Sequence, residues 1–134
     1  MDIQFSDKTP VERYHLLVQS VIPRPIAWIL TAEDGGLNLA PYSFFAPVCS
    51  APPTLVVSVG QKSAGTEKDS YRNLKRSGWC VVNIADASQV DSLNMSSATL
   101  AAGVSETSSF DIPVEPQESW PLPQINGQSM EMYL

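Results

Sequence analysis

Apolar and polar positions fall into two kinds of pattern along this chain. Residues 26–31 and 37–45 are apolar runs separated by Asp34-Gly35-Gly36, whose glycines tolerate positive φ, so the pair predicts a β-hairpin. Pro23 and Pro25 fix φ and remove donors just before Ile26, which sets a strand start at a sheet edge. Residues 54–59 (TLVVSV) and 79–84 (WCVVNI) are short and β-branched, as buried strands are. Helical spacing occurs twice. Residues 11–18 follow a start signal at Ser6 or Asp7 and Pro10, with Tyr14, Leu17 and Val18 on one side. Residues 67–76 place Tyr71 and Leu74 inward and Lys68, Arg72, Lys75 and Arg76 outward, and Gly78 sits where a helix C-cap favours glycine.

Between these elements the chain is punctuated. Pro47, Pro52 and Pro53 predict a loop, and residues 60–65 a second one. Residues 86–102 are small and polar with weak periodicity, enough for one or two short helices, and 103–123 is loop-rich with Phe110, Ile112 and Trp120 as anchors. Asn126-Gly127 is a turn signal, after which 129–134 alternates like a strand just begun. A strand without a return partner leaves an open edge. Either the sequence is part of a longer chain or a second subunit completes the sheet.

Composition narrows the class. The 134 residues, 43% hydrophobic and 16% charged, suit one domain with its own core, spanning residues 1–134. No run approaches the roughly 18 apolar residues that cross a bilayer. The N-terminus, MDIQFSDKTP, has no apolar signal core, and Cys49 and Cys80 are the only cysteines. The expectation is a cytoplasmic protein whose two thiols are buried and reduced. A net charge of −6 argues against nucleic-acid or anionic-membrane partners.

Charge distribution says more than the sum. Lys62, Lys68, Arg72, Lys75 and Arg76 share one segment, and nothing after Arg76 is basic. A cationic patch on an acidic chain suits a small phosphorylated ligand, and a solvated helix face is the plainer alternative. The sole histidine, His15, makes no metal-ligand spacing with two distant cysteines. A Ser-His-Asp arrangement would need His15 far from any strand-turn serine.

Several segments together resemble a known family. They are Pro23-Arg24-Pro25-Ile26-Ala27-Trp28, then Asn38-Leu39-Ala40-Pro41-Tyr42-Ser43-Phe44-Phe45. Pro52-Pro53 before Ser58-Val59-Gly60 follows, then Lys68-Asp69-Ser70 and Val81-Val82-Asn83. In order and spacing the set resembles the flavin reductase-like proteins of the FMN-binding split-barrel fold, including flavoredoxin-type members. The resemblance implies a mainly β chain with short helices, a Greek-key split β-barrel, incomplete at the C-terminus because further strands would follow Asn126-Gly127. It also implies a homodimer that binds FMN and takes hydride from NAD(P)H. The other class is an electron carrier or a flavin-binding module without nicotinamide chemistry.

The site residues implied by the resemblance are Thr31, Asn38, Ala40, Pro41, Tyr42, Ser43, Ser58, Val59, Gly60, Lys62, Lys68, Asp69 and Ser70. Hydroxyls and cations among them suit a phosphate, and the backbone of 38–42 suits the polar edge of a ring, with Pro41 removing one donor. Each has a structural alternative: Ser43 as a turn hydroxyl, Asn38 as a hairpin cap, Asp69 and Ser70 as helix caps. Trp28 is either core or ring wall. Arg24 reaches a ligand or makes a surface or interface salt bridge.

Overall fold

A computed structural model describes residues 2–34, 36–62, 65–101, 103–127 and 131–133. Gly35 of the predicted turn, Ser63 and Ala64 of the second loop, Ala102, and Ser129, Met130 and Leu134 of the last predicted strand lie outside the described residues.

Helix α1 (Pro10–Ser20) begins one turn later than Ser6 or Asp7. Thr9 accepts the Glu12 N–H while the Glu12 carboxylate takes the Thr9 N–H at 2.8 Å. Thr9 has a glutamate three residues on, which this reciprocal cap requires and which neither Ser6 nor Asp7 has. The helix buries none of its residues, so Tyr14 and Leu17 face a groove and not the core.

β1 (Ala27–Glu33) pairs with β2 (Gly36–Tyr42) antiparallel, Ala27 opposite Tyr42 and Glu33 opposite Gly36. The second predicted strand is divided. The chain bends at Ser43 and Phe44 and resumes as β3 (Phe45–Ser50), which pairs with β4 (Pro53–Val57). Pro47 therefore lies in a strand, next to a register irregularity between Pro47 and Cys49, the setting that tolerates a missing N–H. β5 (Val81–Asn83) is shorter than the apolar run, and β8 (Glu131–Tyr133) pairs with it. Trp79 and Trp120 stay outside and meet edge to face at 5.4 Å.

The sheet order is β2-β1-β5-β8, with β3-β4 and a short ladder of β6 (Val114–Glu115) and β7 (Gln124–Ile125) as separate pairs. Among the described residues no ladder joins the β3-β4 hairpin to the sheet, so the strands do not close into a barrel.

Side chains alternate across β1, and both faces are covered. Trp28 and Leu30 pack with Leu39, Val81, Leu93, Ile112, Leu122 and Ile125 on one face. Ala27 and Ile29 pack with Tyr42, Phe45, Cys80 and Val82 on the other. Trp28 is thus core, its indole N–H donating to Ser96 Oγ at 2.8 Å. Cys80 is buried as expected and burial pushes its thiol up, but Cys49 is exposed because the β3-β4 hairpin is covered on neither side there.

Helix α2 (Asp69–Ser77) keeps Lys75 and Arg76 outward as predicted but buries a different side from the one expected. Ser70 and Asn73 are 4% and 0% exposed, whereas Tyr71 and Leu74 are 45% and 38% exposed. Its polar side finds partners at the end of the hairpin, where Asn73 Nδ2 donates to Thr31 Oγ1 at 3.3 Å. Satisfied hydrogen bonds outweigh the apolar stripe there. Gly78 closes the helix in the left-handed region at φ 76°, its N–H on Leu74 O at 2.8 Å. Two further helices, α3 (Val90–Met95) and α4 (Glu106–Ser109), bring the later half of the chain back to β2.

Candidate functional site

The apolar sheet face that begins at Ala27 ends in a polar seam. Asn38 Nδ2 donates to Ser70 Oγ at 2.8 Å and to Thr31 Oγ1 at 3.4 Å, and Tyr42 OH donates to Ser70 Oγ at 2.9 Å. A hydroxyl has two acceptor sites and one hydrogen. With both acceptor sites of Ser70 engaged, its hydrogen is left to donate elsewhere. Burial pushes the Tyr42 phenol above the usual tyrosine range; the Ser70 hydrogen bond opposes this, and the charges of Asp69 and Glu106 add to it.

β2 is the outer strand of its sheet, and its outer edge is specifically finished. The Leu39 N–H points away from β1 and donates to Glu106 Oε2 at 2.9 Å. Residues alternate between the two edges of an antiparallel strand, so Pro41 takes the next outward place and has no N–H to offer.

Two adjoining hollows lie along this edge. One, of about 190 Å³, is lined by Asn38, Ala40, Pro41 and Tyr42 of β2, by Lys62, Lys68, Asp69 and Ser70, and by Ser96, Ser97, Ala98, Thr99, Leu100 and Glu106. The other, of about 310 Å³, is lined by Tyr14, Pro41, Tyr42, Ser43, Phe44, Ser58, Gly60 and Lys68. They share Pro41, Tyr42 and Lys68. The first is smaller than the roughly 300–1,000 Å³ typical of cofactor sites, and the second lies at the lower end of that range.

The basic segment resolves into pairs. Lys62 and Arg72 both meet Asp69, the latter at 2.6 Å; Lys75 meets Glu67 at 2.9 Å and Arg76 meets Asp34 at 2.6 Å. Burial pushes the Asp69 carboxyl up, but hydrogen bonds from Lys62 and Arg72 and their charges outweigh it, and its titration is held below the usual aspartate range. Asp69 is therefore an ion-pair centre in the first turn of α2 and not a cap; the N-cap position is Lys68. Among the described residues Lys68 meets no carboxylate; its ammonium lies 5.3 Å from the centre of the Tyr42 ring, between the two hollows.

Eleven of the thirteen expected residues line one hollow or the other. Thr31 does not: it is fully buried beneath Asn38. Val59 packs against the second apolar cluster instead. Arg24 makes no salt bridge among the described residues and lines neither of these two hollows, but a separate apolar one with Leu17, Val21 and Phe44. Its guanidinium donates to Ser43 O at 3.0 Å and to Val18 O at 3.1 Å, and also to Val21 O, which ties the end of α1 to the bend after β2. Sequence reasoning missed residues 96–100, Glu106 and Tyr14. The hydroxyl-rich run Ser96-Ser97-Ala98-Thr99 was a signal for the first of these; nothing local marks Glu106, which reaches β2 across 67 residues.

A sequence profile of the Flavin reductase like domain matches residues 19–133. The chain belongs to the flavin reductase-like family. This flavin reductase-like chain is 37% identical over 115 residues to an uncharacterised protein of Halalkalibacterium halodurans, covering 85% of the chain and 55% of that protein. It spans about half the length of the curated relatives it matches. Nitrilotriacetate monooxygenase component B from Bacillus cereus superimposes with a TM-score of 0.91 at 35% identity, over 99% of this chain and 66% of that one. The 2-nitrobenzoate 2-nitroreductase of Pseudomonas fluorescens gives 0.87 at 26% identity, over 99% and 64%. No helix among the described residues is long and apolar enough to cross a membrane.

Proposed function

We propose that this chain binds FMN in the joined hollows beside β2 and acts as a flavin oxidoreductase that takes hydride from NAD(P)H. The observation that carries the reading is Lys68, which meets no carboxylate among the described residues, at the junction of the two hollows and beside a hydroxyl with a hydrogen to give. The donor set fits the group. Ser70 and Thr99 offer hydroxyls, Lys68 offers charge, and α2 begins at the same wall, so a phosphate meets complementary partners. Ala40, Pro41 and Phe44 offer apolar surface for a ring.

When bound, the flavin supplies the redox chemistry itself. The protein's part is to hold and orient. Lys68 and Ser70 neutralise and fix the anionic end, Pro41 leaves one place on the edge without a donor, and residues 96–100 cover the hollow from the far side. Assembly as a homodimer and a cytoplasmic setting belong to the same proposal. The similarity to a monooxygenase component and a nitroreductase supports it at the level of redox proteins.

The test is a visible spectrum of the purified chain, followed by anaerobic NADH or NADPH. A yellow protein that bleaches with either nucleotide is expected. Flavin that stays oxidised with both, yet reduces with dithionite, would replace the enzyme by an electron carrier. A chain that takes up no FMN refutes the site.

A further inference from the structure

Glu106 is a buried carboxylate for which the function above has no use. It opens α4, lines the smaller hollow and is 7% exposed. Its Oε2 accepts the Leu39 N–H at 2.9 Å, beside Ala40 and Pro41 of the same hollow. Burying a carboxylate is expensive even when it is hydrogen-bonded. Its charge is felt locally, since it helps push the Tyr42 phenol up.

We propose that Glu106 is a positioning residue that pins the cavity edge of β2 through Leu39 and, by its charge, sets the balance between oxidised and reduced flavin in that cavity. The inference rests on the FMN reading. Reduction of a flavin by two electrons with uptake of one proton adds one negative charge. A fixed carboxylate lining the same hollow disfavours that form. Relative to an uncharged residue at this place, Glu106 then tips the balance toward oxidised flavin.

Two variants separate the pin from the charge. Glu106→Gln keeps an acceptor for Leu39 and removes the charge; Glu106→Ala removes both. FMN, oxidised and dithionite-reduced, is titrated anaerobically into the full chain, and amide exchange at Leu39 is measured without flavin. In Glu106→Gln the reduced-to-oxidised affinity ratio is expected to rise at least tenfold, about 30 mV for a two-electron couple, with Leu39 protection unchanged. In Glu106→Ala, exchange at Leu39 accelerates about tenfold or more and oxidised FMN also binds more weakly. An affinity ratio within about twofold of wild type in a Glu106→Gln protein that still binds FMN overturns the charge role. Unchanged Leu39 exchange in Glu106→Ala overturns the pin. Should Glu106→Ala not fold, the Glu106→Gln ratio decides. A wild-type chain that binds neither form of FMN refutes the flavin reading and the charge role with it, and Leu39 exchange then settles the pin separately.

Discussion

On one face of the sheet Trp28, Leu30, Leu39 and Val81 close against Leu93, Ile112, Leu122 and Ile125, and the buried indole N–H is answered by Ser96. The opposite face starts alike, with Ala27, Ile29 and Val82, but finishes in Thr31, Asn38, Ser70 and Asn73. There Asn73 Oδ1 is buried with no hydrogen-bond partner among the described residues. An unpartnered buried oxygen costs about 1–3 kcal/mol. The Trp28 face bears a like cost, since Asn83 Oδ1, opposite Trp28, is also buried without a partner among the described residues. The faces differ in what fills them, apolar packing on one and hydrogen-bonded polar groups on the other, and the hollows lie beside the polar one, as expected where a site overrides local packing rules.

The largest expected effect tests the sealed face. Trp28→Ala should cost about 3–5 kcal/mol in chemical denaturation, because it empties a fully enclosed site. It also strips Ser96 of its donor. Asn73→Ala should cost about 1 kcal/mol, since lost packing is offset by removing an oxygen that had no partner. Equal losses at the two positions would erase the contrast between the faces.

Within the polar face, Lys62 and Lys68 provide the next test. Lys68→Ala should weaken FMN binding by about 1.5–3 kcal/mol in a calorimetric titration, the range for a hydrogen bond to a charged group. Lys62→Ala should weaken it by less than about 1 kcal/mol, because Asp69 already neutralises that ammonium. If Lys62 proves the stronger of the two, the anchor is misassigned.

Tyr42→Phe comes third. It deletes one of the two donors to Ser70 and should cost about 1 kcal/mol near neutral pH. The Tyr42 phenol is raised, so its contribution is complete below the unfolded tyrosine value of 10.0 and is lost as pH rises through the folded pKa. The phenylalanine variant should show a smaller alkaline decline.

Much of this organisation was legible in the residues. Apolar runs and glycine placed the β1-β2 hairpin, Gly78 placed the end of α2, and the Asn38–Ser43 and Lys68–Ser70 segments do meet at one wall. What could not be read depends on partners distant in sequence. Helix α2 carries an apolar stripe that predicts Tyr71 and Leu74 inside, but Thr31 and Asn38 draw Ser70 and Asn73 inward instead. The basic segment looked like one cationic patch until Asp34, Glu67 and Asp69 were brought against four of its five members. Glu106 belongs with these, since its role exists only once the chain returns to β2.

Asp69 gives the smallest effect. Its carboxyl titrates below the usual aspartate value of 3.8 because Lys62 and Arg72 outweigh the opposing effect of burial. A group held down in the folded state adds stability above its unfolded pKa, and that stability is lost as pH falls through the folded one. Glu12 and Asp86 are also held low by the N–H and hydroxyl groups they cap, so acid loosens the chain at several places. Asp69→Asn should therefore flatten only part of the stability loss between about pH 5 and pH 2. The part it removes should vanish equally in Lys62→Ala combined with Arg72→Ala, since the shift exists only through those partners. An acid profile that is unaltered in Asp69→Asn would mean that the ion-pair centre under the cavity contributes nothing to stability, and that the polar face rests on its neutral hydrogen bonds alone.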